Sequence, residues 1–351
     1  MKSATAISAN YLQRLADPAS RLHSDYLEYK KRQISRAELV ARLPHVALIG
    51  DSVSRDVYVS SRLSTFWRAR MRRGQDWFLN TQPSPTSVYS VFERLEKLAP
   101  VVAIQYGGVG ALVDKEPDRQ NLFRRVLGTR NFSGQVTEVL ARKRFPDLIL
   151  VWIGHNNADW TWWSSPAEFE RPENSLQRQS ARVRQDYERQ VRCLVARAKT
   201  ERHRVAIVIY GLVNFASFFH ARETAESLRD KNPKLYPYLE VCYEYFTSLR
   251  PAYRHNVARL AVMINEQLRA MTAELERELK PFPNVQIRYS DALAQADLSR
   301  VEVIHAMDGW HPSAQGHTVL AEAAFNGLAP SLEFLGIAQP SINEHLAHAS
   351  H

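Results

Sequence analysis

Five short apolar runs, separated by stretches of helical pattern, constrain this chain more than anything else in it. They are His45–Gly50 (HVALIG), Val101–Tyr106 (VVAIQY), Asp147–Ile153 (DLILVWI), Arg204–Tyr210 (RVAIVIY) and Asn284–Tyr289 (NVQIRY). A strand with one wet face alternates apolar and polar residues. Four of these runs are instead nearly continuous in apolar residues, as strands covered on both faces are. Helical pattern precedes each run, at Asp25–Leu43, Ser87–Leu98, Gly134–Phe145, Gln177–Thr200 and Tyr253–Leu279, and Pro312–Leu328 follows the last. Strands and helices in alternation predict a parallel sheet covered by helices.

The 351 residues suffice for one such domain with insertions. We expect a helical extension over 1–44, the main domain over 45–330 and a tail over 331–351. Two stretches exceed what the alternation needs. Met71–Thr86 reads as a loop, and Leu212–Pro251 is rich in aromatics, among them Phe215, Phe218 and Phe219. Inserts of this length serve as lids or binding loops, or pack on the core as helical decoration.

Other features narrow the class. Cys193 and Cys242 are too few for a disulfide framework, and no Cys/His cluster predicts a metal. The N-terminus lacks the apolar core of a secretory signal, and no apolar run approaches the roughly 20 residues that span a bilayer. These features predict a soluble, cytoplasmic protein. The net charge of +9 favours anionic partners. Its arginines, however, are scattered among acids in helical segments, so no specific nucleic-acid surface is expected.

Ligands of open parallel sheets bind beyond the carboxyl ends of the strands. The first run ends in Gly50-Asp51-Ser52, which places a serine where a helical turn opens. Its backbone N–H there can stabilise an oxyanion; taken alone, the serine or its aspartate reads equally as a helix cap. The second run ends in Gln105-Tyr106-Gly107-Gly108-Val109-Gly110, whose glycines permit close backbone approach. The third ends in Gly154-His155-Asn156-Asn157, where an asparagine amide offers donors to a developing negative charge. Near the C-terminus stands Asp308-Gly309-Trp310-His311. A serine needs a base to become a nucleophile; His311 can be that base and Asp308 can fix its tautomer.

Together these blocks resemble the SGNH/GDSL hydrolase superfamily, with its G-D-S, G-x-N-D and D-x-x-H signatures in the same order from about Val46 to Leu328. The resemblance implies a three-layer α/β/α sandwich with a central five-stranded parallel sheet, the flavodoxin-like arrangement, plus helical insertions. It implies Ser52 as nucleophile, His311 as base and Asp308 as the acid of the triad. The oxyanion donors would be the N–H groups of Ser52 and Gly110, with Gly108 as alternate, and the amide of Asn156. Gln105 stands where the family often has Asn, and Asn157 where it usually has Asp. No cofactor or metal is implied. His155, Trp160 and Trp163, close to the asparagine block, are candidates for touching substrate, whereas Arg55, His305 and His317 read as structural and Trp310 as packing on its loop. The expected activity is hydrolysis of an O-acyl ester of a lipid, phospholipid or acylated sugar through an acyl-enzyme. The alternatives are an acyltransferase using the same intermediate, or a non-catalytic basic binding protein on the same fold.

Overall fold

A computed structural model of the chain describes residues 4–8, 10–20, 22–55, 75–80, 88–113, 131–158, 172–236, 239, 251–305 and 309–337. Its centre is a sheet of six strands: β1 (Ala4–Ile7), β2 (His45–Gly50), β3 (Val102–Gln105), β4 (Leu148–Trp152), β5 (Val205–Tyr210) and β6 (Val285–Ser290), in the order β1-β3-β2-β4-β5-β6. The five parallel strands are those the apolar runs predict. β2 to β5 are buried at every position, which is why their sequences do not alternate. β6, at the far edge, is half-buried at every second residue and beyond, and NVQIRY alternates accordingly.

The sixth strand corrects the expected count of five. β1 pairs antiparallel with β3, Ala4 opposite Gln105 and Ile7 opposite Val102, so the N-terminal segment is part of the sheet and not only helical. The helical stretch expected over Asp25–Leu43 is two helices, His23–Lys30 and Arg36–Arg42. They are separated where Arg32 takes a positive φ of 57°, and the second opens on a capping box in which Ser35 and Glu38 satisfy each other's backbone N–H groups.

The chain steps from β2 outward to β3, then back across β2 to β4 and on to β6. Right-handed crossovers then place the Val91–Leu98 helix on one face of the sheet, and Phe132–Leu140, Pro172–Lys199 and Pro251–Glu278 on the other. Ala314–Asn326 packs with Val91–Leu98, and Pro172–Lys199 with Pro251–Glu278. The reversal of direction beside β2 leaves a crevice at the carboxyl ends of β2 and β4, the topological switch point of such a sheet. None of the described helices is long and apolar enough to cross a membrane.

The described part of the first insert is core, and that of the second packs one face into the core. Asp76, Trp77 and Phe78 are wholly buried, and the Trp77 and Phe78 carbonyls accept from Val91 and Phe92 N–H, tying the segment to the helix that follows. Trp77 meets Trp152 of β4 edge to face at 5.3 Å. In the second insert, the helix Phe215–Lys231 buries Phe215, Phe218 and Phe219.

Candidate active site

β2 delivers Gly50, Asp51 and Ser52 to the switch point. Both polar groups of the Gly50 backbone are taken by one side chain: Gln135 accepts from its N–H at 3.0 Å and donates to its carbonyl at 2.8 Å. Asp51 is fully buried and follows immediately. One of its oxygens accepts from Val53 N–H, capping the short 3-10 turn Ser52–Ser54. The other accepts from Gly154 N–H at 3.1 Å, His155 N–H at 3.1 Å and the His155 ring Nδ1 at 2.9 Å. The aspartate thus joins the turn after β2 to the turn after β4, adjacent strands whose Gly50 and Trp152 lie in register. Four hydrogen bonds thus converge on one buried carboxylate.

Ser52 opens that turn and is buried. His155 is also buried, with its ring edge-on to Trp152 at 4.6 Å. The structure therefore places this candidate for substrate contact against Asp51. Asn156 donates from its side-chain amide to the Ala111 carbonyl at 3.0 Å, and Asn157 accepts from Val113 N–H at 2.9 Å. These two bonds pin the loop after β3 to the turn after β4. In that loop Gly108 N–H is spent on the Gly50 carbonyl at 3.0 Å, while Gly110 adopts φ 69°, a left-handed conformation that favours glycine.

The histidine loop comes from the far side of the sheet, after β6. Its ends are zipped together: His305 N–H donates to the His311 carbonyl and Ser313 N–H to the Val303 carbonyl, each at 2.8 Å, and Ile304 bridges Pro312. Within it Gly309 has φ 56° and lies against the buried Arg222 guanidinium and Leu239. Trp310 packs at 5.7 Å on both Phe215 and Phe218, and Phe215 in turn sits 6.2 Å from the His155 ring. A continuous chain of contacts thus runs from the loop carrying His311, through the second insert, to the Asp51–Ser52 turn. His311 itself is buried. Asp308, Trp160 and Trp163 lie outside the described residues.

Sequence reasoning missed Asp51 as the joint between two loops, and missed Gln135, Asp76 and Arg222. Each is a polar residue wholly buried in the structure, and a single polar side chain carries no mark of burial in the sequence. Asp76 is held by Gln105 Nε2 at 2.6 Å and by Phe78 and Leu79 N–H. Burial nevertheless pushes its carboxyl up to about 6. His317, buried on the Ala314–Asn326 helix, accepts from Trp77 N–H. Burial, and then the nearby His311 and His305, push it down to about 3. Among the described residues no group of His, Cys, Asp and Glu has the makings of a metal site.

The chain belongs to the GDSL-like lipase/acylhydrolase family, whose sequence profile matches residues 46–324. No curated protein matches it significantly. Among solved structures it resembles phospholipase A1 from Streptomyces albidoflavus NA297, with 13% identity over 84% of this chain and 100% of that one and a TM-score of 0.44. It resembles a lipase from a goat rumen metagenome, with 14% identity over 81% and 97% and a TM-score of 0.42. It also resembles the inhibitor-bound aryl esterase of M. smegmatis, with 11% identity over 82% and 100% and a TM-score of 0.43.

Proposed function

We propose that the protein is a carboxylic-ester hydrolase in which Ser52 is the nucleophile, His311 the general base and Asp308 the group that orients His311. The observation that carries this reading is the convergence of three strand ends: the Ser52 turn, the Gly107–Gly110 loop and the Asn156 turn are cross-linked at the switch point. Ser52 Oγ attacks the ester carbonyl carbon while His311 takes its proton. The carbonyl oxygen becomes an oxyanion, met by Ser52 N–H, Gly110 N–H and the hydrogen of Asn156 Nδ2 not given to Ala111. Gly110 is favoured over Gly108 because the Gly108 N–H is already occupied. The C–O bond breaks, the alcohol leaves with the proton from His311, and water delivered by the same base releases the acid.

The test is hydrolysis of p-nitrophenyl esters from acetyl to palmitoyl by the wild type and by Ser52→Ala. Loss of at least about 10³-fold in kcat in the variant is expected, the scale on which removal of a triad nucleophile acts. Equal rates would overturn the assignment. An added alcohol that captures the acyl group in preference to water would move the reading to an acyltransferase.

A further inference from the structure

We propose that Asp76, from the insert between β2 and β3, is a positioning residue that sets the oxyanion-binding geometry by fixing the Ser52 turn against the Gly107–Gly110 loop through Gln105. The proposal rests on the assignment of Ser52 above and adds to it a residue outside the family's signature blocks.

Gln105 is the last residue of β3 and is fully buried. Its Nε2 makes two bonds, to the Ser54 carbonyl at 2.8 Å and to Asp76 Oδ2 at 2.6 Å. The first holds the end of the 3-10 turn that Ser52 begins. The second fixes which way the amide faces, because a carboxylate accepts only from the nitrogen end. Without that anion the amide nitrogen keeps only the Ser54 carbonyl as acceptor, and its position is held less firmly. Arg55 closes the circuit: its Nε donates to the Gly107 carbonyl, and its charge favours the Asp76 carboxylate. Asp76 cannot drift, since its other oxygen is held by Phe78 and Leu79 N–H and its own N–H donates to the Leu79 carbonyl. The result is a fixed anion that orients one amide and faces one guanidinium, and each of these two grips a backbone carbonyl in a different oxyanion loop. Charge-assisted bonds of this kind are stronger and more directional than neutral ones, and displacement of a reacting group by about 1 Å costs on the order of 10²-fold in rate.

Protonation of Asp76 should undo the arrangement. The groups around it are Arg55 from the serine turn, Gln105 from β3 and, one residue along the segment, His317 from the Ala314–Asn326 helix, which burial keeps neutral. Below about 6 the carboxyl takes a proton, so activity on the acid side should fall as Asp76 is protonated.

The experiment compares wild type, Asp76→Asn, Gln105→Leu and Ser52→Ala on p-nitrophenyl acetate across the acid limb. Inactivation by a fluorophosphonate serves as a second readout of Ser52 reactivity, and melting curves report folding. Expected for Asp76→Asn and Gln105→Leu is a fall in kcat of roughly 10- to 100-fold with KM within about twofold, and a matching fall in inactivation rate. Near pH 6 the acid limb of log kcat/KM should be steeper in wild type than in either variant. Gln105→Leu leaves the Asp76 turn its backbone bonds, so it answers the question if Asp76→Asn fails to fold. Folded variants with kcat within about threefold of wild type, or a wild-type acid limb no steeper than theirs, would overturn the proposal. If Ser52→Ala keeps full activity, the catalytic assignment falls; if only Ser52→Ala is inactive, the positioning role alone falls.

Discussion

Asp76 and His317 are buried titratable groups whose pKa values are displaced in opposite directions, and each makes stability depend on pH. The carboxyl of Asp76 is raised from 3.8 to about 6. The folded state therefore holds this proton more tightly than the unfolded chain, and the stability so gained is present in full below about 3.8 and lost as pH rises through 6. The difference of about two units corresponds to about 3 kcal/mol. Asp76→Asn, which cannot ionise, should lack this decline. Urea titrations near pH 4 and pH 8 should show the variant gaining about 3 kcal/mol on the wild type over that interval. His317 is lowered from 6.5 to about 3. Its unfolded form takes the proton first, so stability is full above 6.5 and falls with pH down to 3, by up to about 5 kcal/mol. His317→Gln should flatten the acid arm of the stability profile; an unaltered arm would remove His317 as its source. At neutral pH the fold thus keeps an ionised carboxylate at a cost to its own stability, as expected where a charge serves function and not folding.

The element that most shapes the site is the helix Phe215–Lys231, and it does so by gripping the loop that carries His311. Its first turn covers Trp310 with Phe215 and Phe218, and one turn further Arg222 is fully buried beside Gly309. Glu226 faces Arg222 and accepts from Arg254 at 2.6 Å, so the buried guanidinium is anchored to the Pro251–Glu278 helix as well. A Cβ at position 309 would strike both Arg222 and Leu239, at a φ of 56° that alanine adopts with strain. Gly309→Ala should cost about 1–3 kcal/mol in thermal unfolding and lower kcat more than it raises KM. A variant with native stability and rate would mean that the loop is not held from below. Of the readings open to this insert, its described helix takes that of decoration packed on the core, with Phe215, Phe218 and Phe219 buried. Four of the five parallel strands were legible because each is a nearly continuous apolar run, and Ser52 and Asn156 became candidates because short blocks follow two of those runs. The sequence could not show that the segment Gln75–Asn80 would be core. QDWFLN is bounded by polar residues as a loop is, and the partners Gln105, His317 and Trp152, each distant in the chain, make its burial favourable.

Across the whole molecule, the site depends on β2, β3 and β4 keeping register, and β3 is the strand nearest an edge. β1 covers it. ATAI is too short and too near the N-terminus to stand out in the sequence, yet it supplies the antiparallel partner of all four β3 residues, and Ser8 adds bonds with both backbone groups of Val101. Without it β3 would become a bare edge made of VAIQ, fully apolar but for Gln105, the kind of edge that recruits other chains. Removal of residues 1–9 should therefore leave the parallel sheet able to form while lowering its stability. Loss of four paired residues and their apolar cover should cost several kcal/mol, about 2–4 °C of melting temperature for each. Ala4 lies opposite Gln105, so the end of β3 that carries the glycine loop loses its outer support as well, and kcat should fall along with stability. Calorimetry, light scattering and ester hydrolysis on the truncated chain measure the three effects separately. A lower melting temperature with unchanged kcat would show that Gln105 is held by Asp76 and Ser54 alone. An unchanged melting temperature would show that β1 contributes nothing to the sheet it completes.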